Sequence, residues 1–137
     1  MSSKNKILRP KIKTNYDRPT KQELDKLWRE CVLLKYGKKC EYPLCNKVEF
    51  LNVHHIYSRS RMSTRWEIDN AIILCSGHHS LNNDSAHKDP DFKDILIKND
   101  VRTKEFFDKL RFRAFQPAKL DLNAIKIYLL NELKRVP

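Results

Sequence analysis

Asn70-Ala71-Ile72-Ile73-Leu74-Cys75-Ser76-Gly77-His78-His79 packs an apolar run, a cysteine and two adjacent histidines into ten residues. A run this short, rich in β-branched side chains and entered from a polar stretch, predicts a strand over residues 70–74, and residues 76–82 predict a short helix after it. Upstream, residues 48–56 alternate well enough for another strand, ending in the pair His54-His55. Residues 57–69 form a polar connection that carries Arg59, Arg61 and Arg65. The order is therefore strand, loop, strand, helix.

Just before the first strand, residues 38–47 read as a loop containing Cys40-x4-Cys45, and after 29 further residues comes Cys75-x2-His78. Two closely spaced pairs of soft or borderline donors are what tetrahedral zinc requires, so Cys40, Cys45, Cys75 and His78 are the expected ligands of a structural zinc ion. Such an ion would clamp the short helix onto the loop, a staple that matters in a small domain. Cys31 stands apart, on the apolar side of a predicted helix, and is expected to be a small buried hydrophobe.

That helix begins at Thr20, which with Glu23 has the capping-box arrangement, and its apolar positions Leu24, Leu27, Trp28, Cys31 and Leu34 recur at helical spacing. Gly37 is placed to end it in a left-handed conformation, and Trp28 to anchor the core. Beyond residue 90, helices are predicted over about 90–97, 103–112 and 122–134. Phe92, Ile95, Phe106, Phe107 and Leu110 would pack on the core, and Lys104, Lys109, Arg111, Arg113 and Lys119 would form a solvated face able to extend a nucleic-acid surface. The expectation is one α+β domain over residues 20–137, with its core at about 38–92, preceded by a basic arm over residues 1–19.

Lysine and arginine number 28 against 17 aspartates and glutamates, a formal charge of +11 on 137 residues. Cations that neutralise phosphates release condensed counterions, so nucleic acid is the expected partner and an anionic membrane the weaker one. No apolar run reaches the length of a membrane span, and Met-Ser-Ser-Lys-Asn-Lys opens no signal peptide. The chain is therefore read as intracellular, among reduced thiols, where clustered cysteines bind metal.

His54, His55, Asn70 and His79 remain after the zinc set is removed. Hydrolysing a phosphodiester needs an activated water, neutralised phosphate oxygens and a stabilised leaving alkoxide. Neutral imidazole can take a proton from water near pH 7, and a divalent ion can act as Lewis acid on the phosphate and leaving oxygens. His55 is the candidate base, and His54 and His79 are candidate ligands of that ion. Adjacent strand residues point to opposite faces, so His54 and His55 share one site only if the strand bends or ends there. His78 and His79, about 100° apart around a helix, can serve two different ions.

The run His54-His55-Ile56, Arg65-Trp66, Asn70, Leu74-Cys75-x2-His78-His79 and Ala86-His87-x2-Pro90, with eight residues between Asn70 and His79, resembles the HNH (ββα-metal) endonucleases, particularly small phage-type members. The likeness covers about residues 40–92. It implies a zinc-stapled ββα-metal core and a DNA endonuclease using one divalent ion, Mg²⁺ or Mn²⁺, without a small-molecule cofactor. It further implies that His54 and His79 hold that ion, that His55 is the general base, and that Asn70 orients the loop and base or approaches the metal. His87 is implied either as a substrate contact or as a brace for the helix. Arg59, Arg61 and Arg65 are expected to grip phosphate with planar guanidinium groups, and Trp66 to plug the core. The arginine loop is also similar, more weakly, to the NinG/Rap recombination nucleases, which implies branched DNA as an alternative substrate. A non-catalytic zinc-stabilised DNA-binding module is the other alternative, and it leaves His54, His55 and His79 without a role.

Overall fold

Helix α1 (Lys21–Tyr36) starts where the Thr20 hydroxyl oxygen accepts from the Glu23 amide at 3.1 Å. The Glu23 carboxylate, expected to return the bond, instead pairs with Lys126 at 2.8 Å and ties α1 to the last helix. Gly37 ends α1 at φ 89° with ψ 156°, an extended conformation open essentially to glycine alone, and not the left-handed helical one expected. These elements come from a computed structural model, which describes residues 18–135. All of the predicted basic arm except Arg18 and Pro19 lies outside the described residues.

Strands β1 (Leu51–His55) and β2 (Ala71–Cys75) form a two-stranded antiparallel sheet in which His55 faces Ala71 and Leu51 faces Cys75. β1 is shorter than the predicted 48–56 because Phe50 adopts a positive φ of 55°, which breaks the ladder and leaves Val48 and Phe50 exposed. β2 lies one residue later than predicted. The predicted helix over 76–82 is a five-residue π-helical turn (Gly77–Leu81), closed by the Asn82 amide donating to the Gly77 carbonyl at 2.9 Å.

Every residue of β2 is buried, because both faces of the sheet are covered. Ala71 and Ile73 point into a cluster with Leu24, Trp28, Val32, Trp66 and Leu129, whereas Ile72 and Leu74 point into a second with Phe92, Leu96 and Phe107. The period-2 alternation of one strand thus divides the core in two. α1 and the last helix, α4 (Leu122–Arg135), cover the first face; α2 (Phe92–Lys98) and α3 (Lys104–Ala114) supply the aromatic residues of the second. Cys31 is buried, as expected, and its thiol donates to the Leu129 carbonyl at 3.3 Å.

The outer edge of β2 is also closed. Glu41 donates its amide to the Ile73 carbonyl and accepts from the Ile73 amide through its carboxylate, each at 2.8 Å, while Arg102 holds the other carboxylate oxygen at 2.9 Å. The open backbone groups of Ile73 at this edge are thus satisfied by one residue, through its amide and its carboxylate. Among the described residues no helix is long and apolar enough to cross a membrane.

Candidate functional site

The loop before β1 delivers Cys40 and Cys45, the end of β2 delivers Cys75, and the π turn delivers His78; their ligating atoms all lie within 4.8 Å of one another. Cys45 Sγ to Cys75 Sγ is 3.8 Å, Cys40 Sγ to His78 Nδ1 3.7 Å, and Cys75 Sγ to His78 Nδ1 3.3 Å. Zinc–sulfur and zinc–nitrogen bonds of about 2.3 and 2.0–2.1 Å in a tetrahedron put neighbouring donors about 3.6–3.8 Å apart, so the cluster could hold a metal such as zinc with little adjustment. Burial raises the Cys75 thiol, but donation from the His78 amide, the Cys40 and Cys45 thiols and the Gly77 amide outweighs it and leaves the thiol below its usual value. The His78 ring stacks on Tyr42, 4.0 Å between centroids and 5° from parallel, and its Nε2 lies 3.5 Å from an Asp84 carboxylate oxygen. Nδ1, turned toward Cys40 and Cys75, is the ring nitrogen that faces the centre of the cluster.

His54, on the opposite face of β1 from His55, meets His79 of the π turn and His87. Ring centroids are 5.2 Å (His54–His79), 4.9 Å (His54–His87) and 4.7 Å (His79–His87) apart, all edge to face, and the Nε2 atoms of His79 and His87 are 3.1 Å apart. His87 arrives because the chain folds back on the π turn: the Ala86 amide donates to the His78 carbonyl at 2.8 Å and the His87 amide to the His79 carbonyl at 3.3 Å. Burial, then the neighbouring histidines, pushes His54 down to about 4, and burial with His87 lowers His79. Imidazoles kept neutral are ready to ligate.

His55 closes β1 and stacks flat on Trp28, 3.9 Å between centroids and 10° from parallel. Its Nε2 is 3.0 Å from the Arg65 carbonyl, which can only accept, so Nε2 carries the proton and Nδ1 keeps its lone pair. Burial lowers the imidazole, opposed by the Arg65 carbonyl and the Asp25 charge. Asn70, fully buried, accepts from the Tyr57 amide at 2.7 Å and donates to the Tyr57 and Thr64 carbonyls at 3.0 and 3.1 Å, holding the start and the middle of the connecting loop. The two histidines leave opposite faces of β1, and because the strand ends at His55 they still border one cavity of about 530 Å³, shared with Ser58, Arg59, His79 and His87.

The three arginines expected to grip phosphate do not stay together. Arg59 lines the cavity and Arg61 is exposed, but Arg65 turns inward: its guanidinium donates to both oxygens of Asp25, at 3.2 and 2.9 Å, and its side chain is only 13% exposed. Its contribution to the site is its backbone carbonyl. Trp66 is in the core as expected, with its indole N–H donating to Asp25 at 2.8 Å.

Asp25, the stacking role of Trp28 and the joining of His87 to His54 and His79 were not legible in the chain. Each depends on a contact between separate elements, and only the Ala86-His87-x2-Pro90 run hinted at one of them. No protein-family model, no curated protein and no solved structure matches the chain.

Proposed function

We propose that this chain is a metal-dependent DNA endonuclease of the HNH type, hydrolysing phosphodiester bonds with His55 as general base. The observation that carries the reading is the pose of His55: Nε2–H spent on the Arg65 carbonyl, the ring clamped on Trp28, Nδ1 without a hydrogen-bond partner among the described residues, and the residue lining one cavity with three clustered histidines. Held in this tautomer, His55 takes a proton from water at Nδ1, and the Arg65 carbonyl favours the imidazolium that results. Asn70 maintains the loop from which that carbonyl comes, and Arg59 at the cavity wall supplies a guanidinium for the phosphate.

His54, His79 and His87 would hold the divalent ion, whose chemistry is to neutralise charge on the phosphate and leaving oxygens. Three imidazole nitrogens suit a first-row transition ion better than Mg²⁺, which favours oxygen ligands and keeps its waters, so of Mg²⁺ and Mn²⁺ the better fit is Mn²⁺. In this reading the two strands and the π turn stand for the ββα-metal core, and zinc on Cys40, Cys45, Cys75 and His78 staples it.

Cleavage of supercoiled plasmid by the wild type and by His55→Ala, with Mn²⁺, Mg²⁺ or EDTA, tests the proposal. The expected result is metal-dependent cutting that falls by about 10²- to 10⁴-fold in the variant while DNA binding is kept. DNA binding by both proteins, with no cutting of plasmid or branched DNA under any metal, would overturn it in favour of a zinc-stabilised binding module.

A further inference from the structure

Two large aromatic rings sit exposed near the C-terminal end of α3, Phe112 at 68% and Phe115 at 52% of their full surface. Isolated exposed apolar side chains need no explanation, but these are interleaved with cations. The Arg61 guanidinium lies 3.8 Å from the centroid of the Phe115 ring, and that of Arg111 lies 5.7 Å from it. Neither arginine makes an ion pair among the described residues, and Asp108, the acidic group lining the same hollow, is held by Lys104 at 2.9 Å. Phe112, Phe115, Arg111 and Gln116 border that hollow, about 470 Å³ in volume.

The patch is joined to the histidine site. Tyr57 sets its ring 6.2 Å from that of Phe115, edge to face, and also lines a cavity with His54. Ser63 donates its hydroxyl to the Arg113 and Ala114 carbonyls, at 2.8 and 3.1 Å, and so fastens the loop bearing Arg59 and Arg61 to the end of α3. A strip of aromatic rings and guanidinium planes therefore runs from His54 through Tyr57 to Phe115 and on to Phe112.

We propose that Tyr57, Phe112 and Phe115, with Arg61 and Arg111, form a stacking platform for the unpaired bases of a single-stranded nucleic-acid segment leading into the His55 cavity. Every base has a π face, and aromatic rings and guanidinium planes bind it without regard to sequence while cations follow the backbone. A duplex keeps its bases stacked inside and offers the strip only phosphates. The platform thus favours substrates with a single-stranded stretch over continuous duplex. It rests on the endonuclease reading for what happens at His55, but the binding itself does not.

The test measures binding of fluorescein-labelled oligothymidine, oligouridine and a mixed-sequence duplex by anisotropy, using the full chain without added divalent ion. Phe112→Ala/Phe115→Leu should weaken single-strand binding about tenfold or more and leave duplex binding within about twofold. Phe112→Trp adds an exposed indole to a chain whose own tryptophans, Trp28 and Trp66, are buried, and its emission should be quenched by the oligonucleotide. The DNA and RNA arms show which strand is held; preference for either supports the platform. Unchanged single-strand affinity in the double variant with no quenching overturns it and makes the rings a face for a protein partner. Equal losses on single strand and duplex also overturn it. Plasmid cleavage run in parallel separates the two ideas: single-strand binding lost in the double variant while the wild type cuts nothing keeps the platform and removes the endonuclease, and intact cutting with no platform does the reverse.

Discussion

His55 is posed by residues distant in the chain: Trp28 fixes the plane of its ring, Arg65 its tautomer, and Asp25 fixes Arg65. Asp25→Ala strips three donors of their acceptor and should cost roughly 1–3 kcal/mol, read as a lower urea midpoint; a midpoint equal to wild type would count against this pairing. His54 gives a pH prediction. Its folded pKa, about 4, lies below the usual imidazole value of 6.5, so the unfolded chain binds the proton more readily. The stability it contributes is complete above about pH 6.5 and is lost as pH falls through 4, roughly 3 kcal/mol in all, of which about 2 kcal/mol goes between pH 7 and pH 4.5. Urea unfolding of metal-stripped protein at pH 7 and pH 4.5 should show that loss, and His54→Gln should show a smaller one. Equal pH dependence in the two proteins would refute the assignment.

At the scale of elements, what matters is which face or terminus each residue occupies. Leu74 points into the α2–α3 side of the core with no exposure, and Leu74→Ala should cost about 2–5 kcal/mol. Phe50, exposed before β1, should tolerate Phe50→Ser at the apolar-surface level, within about 0.5 kcal/mol. Thr103 caps α3 by accepting from the Phe106 amide at 3.0 Å, so Thr103→Ala should lower stability by about 1 kcal/mol. Thermal melts should show the largest loss for Leu74→Ala, a smaller one for Thr103→Ala and the least for Phe50→Ser, and Phe50→Ser as damaging as Leu74→Ala would mean the strand boundary is wrong.

At the scale of the molecule, the Cys40, Cys45, Cys75 and His78 cluster joins the loop before β1 to the end of β2 and the π turn. A metal held there closes loops that a small core must otherwise order unaided. The chain should take up metal at this cluster, cobalt substitution should give thiolate-to-metal absorption that Cys45→Ser weakens, and chelation should lower the melting temperature by several degrees, on the order of 10 °C. A chelator-treated chain that melts like the untreated one would deny the staple its structural part.

Taken alone, the sequence determined what depends on near neighbours. The 3.6 and 2 periodicities, the Thr20 cap, the apolar run after Asn70 and the spacing of Cys40, Cys45, Cys75 and His78 led to the α+β order, the two strands, each helix within about two residues, and the gathering of the four donors. Boundaries failed where backbone conformation overrode pattern, as at Phe50 with its positive φ and at the π turn that replaced a helix. Only the tertiary structure decided the rest: that His54 and His55 diverge and still share a cavity, that His87 joins His54 and His79, that Arg65 turns to Asp25, and that Trp28 lies under His55. Each of these is a contact between elements brought together by packing, and local pattern carries no information about which faces meet once a chain has closed on its core.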